Sequence, residues 1–138
     1  MEQTKITVAA DVQADKNKVW DYYTQPKHIT KWNFADPSWH CPIAKNDMKV
    51  GGTYKARMVA KDASFGFDFE AIYTEINEGN SFTYEFGGRQ ATVLFQEENG
   101  ATKVTVCFDA ETQNPIEMQQ QGWQAILYNF KNYTETNG

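Results

Sequence analysis

The stretch NPIEMQQQGWQAILYNFKNYTE, residues 114–135, is the longest segment of the chain with a regular helical period. Its first residues favour a helix start: Asn114 can cap free amides, Pro115 suits a first helical turn, and Glu117 can reach back to the cap. Side chains at three- and four-residue spacing then define one face, formed by Ile116, Gln119, Trp123, Ile126, Leu127, Phe130 and Thr134. Such a helix would be roughly 30 Å long and could cover a whole sheet.

Length and charge limit what the remaining residues can form. A chain of 138 residues predicts one domain over residues 1–138, with about two-thirds of the unfolded surface buried. A net charge of −5 opposes binding to nucleic acid or to an anionic membrane. The N-terminal residues 1–5 lack a signal-peptide pattern, and no apolar run has transmembrane length. With only Cys41 and Cys107, a disulfide framework is not expected, so we predict a cytoplasmic protein.

Alternating apolar and polar residues predict six strands, and their spacing predicts two short helices after the first strand. The strands are expected at residues 5–12, 53–60, 65–76, 81–86, 91–97 and 102–110. One helix would follow an Asp15 cap, and a second would run from Pro26 to Trp32. The pair Asn99-Gly100 predicts a tight hairpin between the last two strands.

Residues 33–48 show no clean period and contain two prolines, so they are interpreted as a long irregular loop. Large rings in a loop are unusual, and the rings of Trp32, Phe34 and Trp39 in this region suggest a lid. Gly51 and Gly52 follow it and permit a sharp bend, a bulge or a close backbone approach. The expected architecture is α+β, a curved antiparallel six-stranded sheet around the C-terminal helix, with a cavity between them.

Three segments carry a resemblance to a known family: Val50–Tyr54, Phe69–Ile76, and Gly122-Trp123 followed by Leu127. In this order and spacing the chain resembles the START-like superfamily, which includes polyketide cyclase-like and lipid-transport proteins. Within it, the chain is similar to stand-alone bacterial relatives of the C-terminal domain of the heat-shock-protein ATPase activator Aha. The resemblance implies a helix-grip fold with a deep cavity. The activator has a further N-terminal domain that this sequence lacks, which argues against transferring its chaperone partner.

The predicted function is binding of an apolar or aromatic small molecule between the last helix and the sheet, without a cofactor or a metal. Trp123 is either a core residue or a wall of the cavity, and Gly122 is expected to let the helix pack closely on the sheet. The inward strand ring Phe95 is expected in the core. The candidate ligand-binding residues are Trp32, Phe34, Trp39, His40, Phe67, Phe69, Tyr84, Trp123 and Leu127.

Two alternatives remain: an interaction module of the chaperone-activator kind, suggested only by the resemblance, and an enzyme that uses the same cavity. A proton-transfer enzyme of the cyclase or dehydratase type would use His40 or Asp36 as its base. His40 and Cys41 are adjacent, and neighbouring side chains in an extended segment point apart, which disfavours a nucleophile–base pair. His28, Asp36, His40 and Cys41 have the chemistry of metal ligands but not the spacing of a structural zinc site.

Charged residues elsewhere are interpreted mainly as surface. Asp47 and Arg57 could pair, or could orient a polar ligand group, at the mouth of the cavity. An exposed sheet edge or the outward ring of Tyr128 could support a weak homodimer. Four strand carboxylates are expected on a solvated face, namely Asp68, Glu70, Glu75 and Glu85.

Overall fold

Seven strands and three helices make up residues 4–34, 38–111 and 115–136, which the computed structural model describes. In chain order the elements are β1 (Lys5–Val12), α1 (Lys16–Thr24), α2 (Pro26–Trp32), β2 (Trp39–Asn46), β3 (Thr53–Ala60), β4 (Gly66–Asn77), β5 (Ser81–Phe86), β6 (Arg89–Glu98), β7 (Ala101–Asp109) and α3 (Ile116–Thr136). None of the helices in these ranges is both long and apolar enough to cross a bilayer.

The strands form one antiparallel sheet in the order β1-β7-β6-β5-β4-β3-β2. The sheet curls into a half-barrel around α3, which confirms the predicted α+β class and the long C-terminal helix. From β2 to β7 each strand pairs with the next along the chain, and β1 closes the far edge by pairing with β7. The concave face of the sheet therefore faces the helix, and any cavity must lie between them.

The prediction of six strands was wrong because β2 lies inside the segment interpreted as a loop. Trp39 pairs with Ala60 and Asn46 with Tyr54, but the register shifts between His40 and Ile43. This irregularity destroys the alternation that identifies a strand in sequence. β2 is also an edge strand, paired only with β3, which is where a proline can be accommodated.

The predicted helix starts agree with the structure where it describes them. The Asp15 side chain accepts a hydrogen bond from the Lys18 amide at 2.9 Å, and Pro26 occupies the first turn of α2. The predicted cap Asn114 lies outside the described residues. The carbonyl of Pro115 accepts hydrogen bonds from the amides of residues 118 and 119, at 3.1 and 3.2 Å, so α3 begins at this point.

Most of the predicted face of α3 is covered, since Gln119, Leu127, Phe130 and Thr134 are buried. Ile116 is the exception at 41% exposed, and its assignment to the covered face was wrong. It lies in the first turn of the helix, where the next residues, Glu117 and Met118, are exposed as well.

The two glycines before β3 make the close backbone approach that the sequence permits. The Gly51 amide donates to the Tyr73 carbonyl at 2.8 Å, and the Tyr73 amide donates to the Gly52 carbonyl at 3.0 Å. A Cβ on Gly52 would lie 2.2 Å from the Asp47 carbonyl oxygen. In the hairpin between β6 and β7, Asn99 and Gly100 have φ values of 55° and 81°, which confirms the predicted turn.

A lattice of aromatic rings fills the core between the sheet and the helices. Trp20 packs edge-on against Phe95 with ring centroids 5.1 Å apart, and also against Phe82 at 5.9 Å. Tyr23 contacts Phe95 at 5.5 Å and Phe130 of α3 at 4.9 Å. These edge-to-face pairs join α1, the sheet and α3, and they leave one ring-lined space unfilled.

Candidate functional site

A cavity of about 250 Å³ lies between α3 and the concave face of the sheet. For comparison, an apolar cavity of about 150 Å³ is enough to hold benzene. Side chains of α1, α2, α3 and five strands reach it, together with one residue that follows α2. The lining consists of Tyr23, Trp32, Asn33, Tyr54, Met58, Phe67, Phe69, Tyr84, Arg89, Val106, Trp123, Ile126 and Leu127.

Six of the nine predicted ligand-binding residues lie in this lining. They are Trp32, Phe67, Phe69, Tyr84, Trp123 and Leu127. Phe34, Trp39 and His40 are not in it. Trp39 instead packs against Phe65 at 5.9 Å and against Phe67 at 6.0 Å, so it contacts a ring of the lining without lining the cavity itself.

The rings at the β4 end of the cavity are more exposed than a core position would be. Phe67 is 43% exposed and Phe65 is 61% exposed, although both share the inward parity of Tyr73. Phe65 immediately precedes β4 and Phe67 is its second residue, so both rings lie at the start of this strand. Phe67 therefore marks a side of the cavity that meets solvent.

Trp123 is both a packing residue and a cavity wall. Its indole stacks on Phe108 with ring centroids 3.9 Å apart and planes 12° apart, and it lies 6.1 Å from Phe86. The residue is half-buried. The reason predicted for Gly122 was wrong, because a Cβ built there would meet nothing within 4 Å.

Several hydroxyl groups supply polarity inside the ring-lined space. The Asn33 side-chain amide donates to the Tyr54 hydroxyl at 3.1 Å, whereas the described residues offer no hydrogen bond to the hydroxyls of Tyr23 and Tyr84. Burial raises the pKa of all three tyrosines, so they remain neutral phenols at physiological pH. The cavity thus provides neutral hydrogen-bonding groups for a polar substituent on an otherwise apolar ligand.

Arg89 lines the same cavity and was missed in the sequence. Its guanidinium lies over the Phe86 ring, 4.7 Å from the centroid, and its Nη1 donates to the Asp109 backbone carbonyl at 3.2 Å. The signal was present, because Arg89 has the same parity as the buried residues Ala91 and Val93 on β6. A charged residue at an inward strand position is unusual and points to a special role.

Asp109 lies beside Arg89, but its carboxylate is already engaged. It receives hydrogen bonds from the Lys5 ammonium and, at 3.0 Å, from the Gln90 amide. The Lys5 hydrogen bond is the main cause that lowers the pKa of Asp109, and burial opposes it. The carboxylate is therefore engaged mainly by Lys5, and the nearby charge of Arg89 makes a smaller contribution to the lowered pKa.

The candidate nucleophile Cys41 is poorly suited to catalysis. It is buried, and burial raises its pKa to about 11, while its thiol donates a 3.6 Å hydrogen bond to the Ile43 carbonyl. His40 is exposed on the edge strand β2. Opposite burial of these neighbours fits the alternation of an extended segment, in which adjacent side chains point apart.

The other candidate ligand and base residues do not form a cluster with them. His28 Nδ1 lies 2.8 Å from the Tyr133 hydroxyl, and its ring stacks on Tyr22 at 3.9 Å. Asp36 lies outside the described residues. Within the ranges that are described, no three His, Cys, Asp or Glu side chains are arranged to hold a metal ion.

The predicted Asp47–Arg57 pair does not form. Arg57 instead lies 3.4 Å from Asp68, and Asp47 lies 3.6 Å from Lys49. Arg57 and Asp68 are opposite each other on β3 and β4, which places their side chains within reach of one another. The four strand carboxylates are exposed as predicted, namely Asp68, Glu70, Glu75 and Glu85.

A curled antiparallel sheet that grips a long C-terminal helix over a ring-lined cavity defines a START-like, helix-grip protein. Residues 13–135 match the family model described as "Activator of Hsp90 ATPase homolog 1-like protein", and the chain belongs to this family. No protein in the search of curated proteins matches the chain.

Solved structures agree with this assignment. The AHSA1-like protein from Aeromonas hydrophila is 38% identical, with a TM-score of 0.92 over 98% of this chain and 94% of that one. Chr148 from Cytophaga hutchinsonii is 46% identical, with a TM-score of 0.82 over 96% and 93%. NE0264 from Nitrosomonas europaea is 16% identical with a TM-score of 0.82 over 96% and 95%, a likeness that shows the fold alone.

Proposed function

We propose that this protein binds an apolar or aromatic small molecule in the cavity between α3 and the sheet. The observation that carries the proposal is the 250 Å³ space walled by rings and aliphatic side chains. Few polar groups enter it, and they are placed to orient a ligand rather than to solvate it. A cytoplasmic location belongs to the same proposal and rests on the composition of the chain.

Trp123 gives the proposal a direct test. Its indole forms one wall, so Trp123→Ala would remove a stacking surface and open the site. Tyr128→Ala is the matched control, because Tyr128 is on the same helix but is 52% exposed and outside the lining. Both variants remove one large ring from α3.

The measurement is native mass spectrometry of gently purified protein, followed by solvent extraction of any co-purifying compound. We expect an apolar mass on the unmodified protein and on the Tyr128 variant, and its loss from the Trp123 variant. If the Trp123 variant still carried the apolar compound, binding at this site would be contradicted. A compound lost equally from both variants would contradict it as well.

A second candidate function comes from the family itself, whose description names an activator of the Hsp90 ATPase. A chaperone partner is therefore proposed as the alternative. ATP hydrolysis by the chaperone should then rise when stoichiometric protein is added, and an unchanged rate would remove this candidate.

Proton-transfer chemistry has less support. His40 is exposed and does not line the cavity, so it could not act on a ligand held there without a rearrangement. If His40→Ala and Asp36→Asn both leave turnover of cyclase and dehydratase substrates unchanged, this alternative is excluded.

A further inference from the structure

We propose that the ligand is a carboxylic acid whose ionised carboxylate is bound by Arg89, while its apolar or aromatic part fills the ring-lined space. This inference rests on the proposed function and specifies its ligand class. It is carried by the position of Arg89 and by the charges around it.

Arg89 is the only charged side chain among the described residues that line the cavity. The remaining lining residues are aromatic, aliphatic, amide or thioether in character. A half-buried guanidinium in such surroundings is costly unless its charge is compensated. The protein carries a net charge of −5, so a positive group facing its cavity is also opposite in sign to the whole chain.

The described residues give Arg89 no ion-pair partner, although the Asp109 carboxylate is near enough to attract its charge. No carboxylate among them lies within 4.0 Å of the Arg89 guanidinium, although Arg57 has such a partner in Asp68. The neighbouring Asp109 carboxylate is held by Lys5 and by the Gln90 amide, and it offers Arg89 only its backbone carbonyl. The group formed by Lys5, Arg89 and Asp109 therefore has a net charge of +1.

The geometry of Arg89 leaves donors available for a ligand. A guanidinium has five N–H groups, and one bond to Asp109 uses only one of them. Stacking over Phe86 at 4.7 Å holds the planar group in place. A planar group fixed in this way suits bidentate binding of a carboxylate.

Neutral donors can assist Arg89. Tyr23 and Tyr84 line the same cavity, and their hydroxyls have no hydrogen bond to other described residues. A monoanion matches a single arginine, whereas a phosphate dianion would call for more positive charge than the lining provides. The structure therefore favours a carboxylate over a phosphate.

The test uses two ligands of equal shape, 1-naphthylacetate and 1-naphthylacetamide, titrated at pH 7 and followed by isothermal calorimetry. The acid is ionised at this pH and the amide is neutral. Arg89→Met removes the charge and retains much of the length of the side chain. Arg57→Met is the matched control, because Arg57 is the other arginine of the chain and is paired with Asp68 on the surface.

We expect the unmodified protein to bind the acid roughly ten- to a hundredfold more tightly than the amide, since hydrogen bonds to charged groups are the stronger class. Arg89→Met should abolish this preference, because losing the guanidinium weakens binding of the ionised acid far more than binding of the neutral amide. Arg57→Met should keep the preference.

Equal affinities for the acid and the amide in the unmodified protein would overturn the carboxylate inference, and so would a preference for the acid that survives Arg89→Met. In either case, binding of the amide would still support the cavity as a binding site. Binding of neither compound would overturn the proposed function and the inference with it.

Discussion

The Cys41 thiol should react very slowly with thiol reagents in the folded protein. Its pKa is raised to about 11, chiefly by burial. At pH 8 only ~0.1% of this thiol would be thiolate, compared with ~24% for an ordinary cysteine of pKa about 8.5. Since the thiolate is the reacting species, labelling should be roughly 200-fold slower, and steric burial slows it further.

The experiment uses the Cys107→Ser variant, which leaves Cys41 as the only thiol of the chain. Its reaction with Ellman's reagent is followed at pH 8 in the folded state and again after unfolding in urea. The unfolded sample is the internal control, because it contains the same thiol without burial. We expect the folded rate to be lower by two orders of magnitude or more.

A folded rate within tenfold of the unfolded rate would refute this reasoning. It would mean that Cys41 is accessible and activated, and the adjacent His40 would then have to be reconsidered as its base. Such a result would also revive the enzymatic alternative.

Three further predictions concern stability. Phe95→Ala should destabilise the fold by about 3 to 5 kcal/mol, or roughly 10 to 17 °C in Tm, because the ring is 2% exposed and packs on other rings. In the same calorimetric scan Phe65→Ala, which removes a ring that is 61% exposed, should change stability by less than about 0.5 kcal/mol. Gly122→Ala should stabilise the protein by about 1 kcal/mol in urea unfolding, since a Cβ has open space there. Gly52→Ala should destabilise the protein, because its Cβ would meet a backbone oxygen at 2.2 Å. Equal effects of the two changes would contradict this account. The pKa of Asp109 is lowered in the folded state, so the stability it contributes is present above the unfolded pKa and is lost as the pH falls below about 4. In Asp109→Asn the free energy of unfolding should therefore fall less steeply at acidic pH. An unchanged acidic fall would show that the hydrogen bond from Lys5 contributes nothing.

The sequence was sufficient to predict the fold where side chains alternate or repeat regularly. The periodic face of residues 114–135 identified α3, and Asn99-Gly100 identified the final hairpin. β2 was missed because a bulge between His40 and Ile43 interrupts the alternation, and no local pattern compensates for that loss.

The cavity lining was predictable only in part. Phe69 and Tyr84 followed from strand parity, since inward rings must face the helix. Tyr54 and Met58 share the inward parity of β3 but were not distinguished from core residues, because parity gives the face and not the position of the gap. Trp39 was assigned to the site by its size, but it contacts the lining ring Phe67 without lining the cavity itself.

Gly122 and Arg89 illustrate two different reasons for error. A glycine within a helix suggested tight packing, but the space around it is open, so its presence has no packing explanation here. Arg89 could have been found by extending the inward parity of β6 two residues back from Ala91, because a charge at that position contradicts the pattern of the strand.

The most direct test of the central claim is the location of an aromatic ligand in solution. Protein labelled with ¹³C and ¹⁵N would be titrated with 1-naphthylacetamide, and intermolecular nuclear Overhauser effects would be assigned. The account predicts contacts from the naphthalene protons to Phe69, Tyr84 and Leu127 inside the cavity. Contacts confined to exposed side chains such as Phe65 and Tyr128 would contradict it.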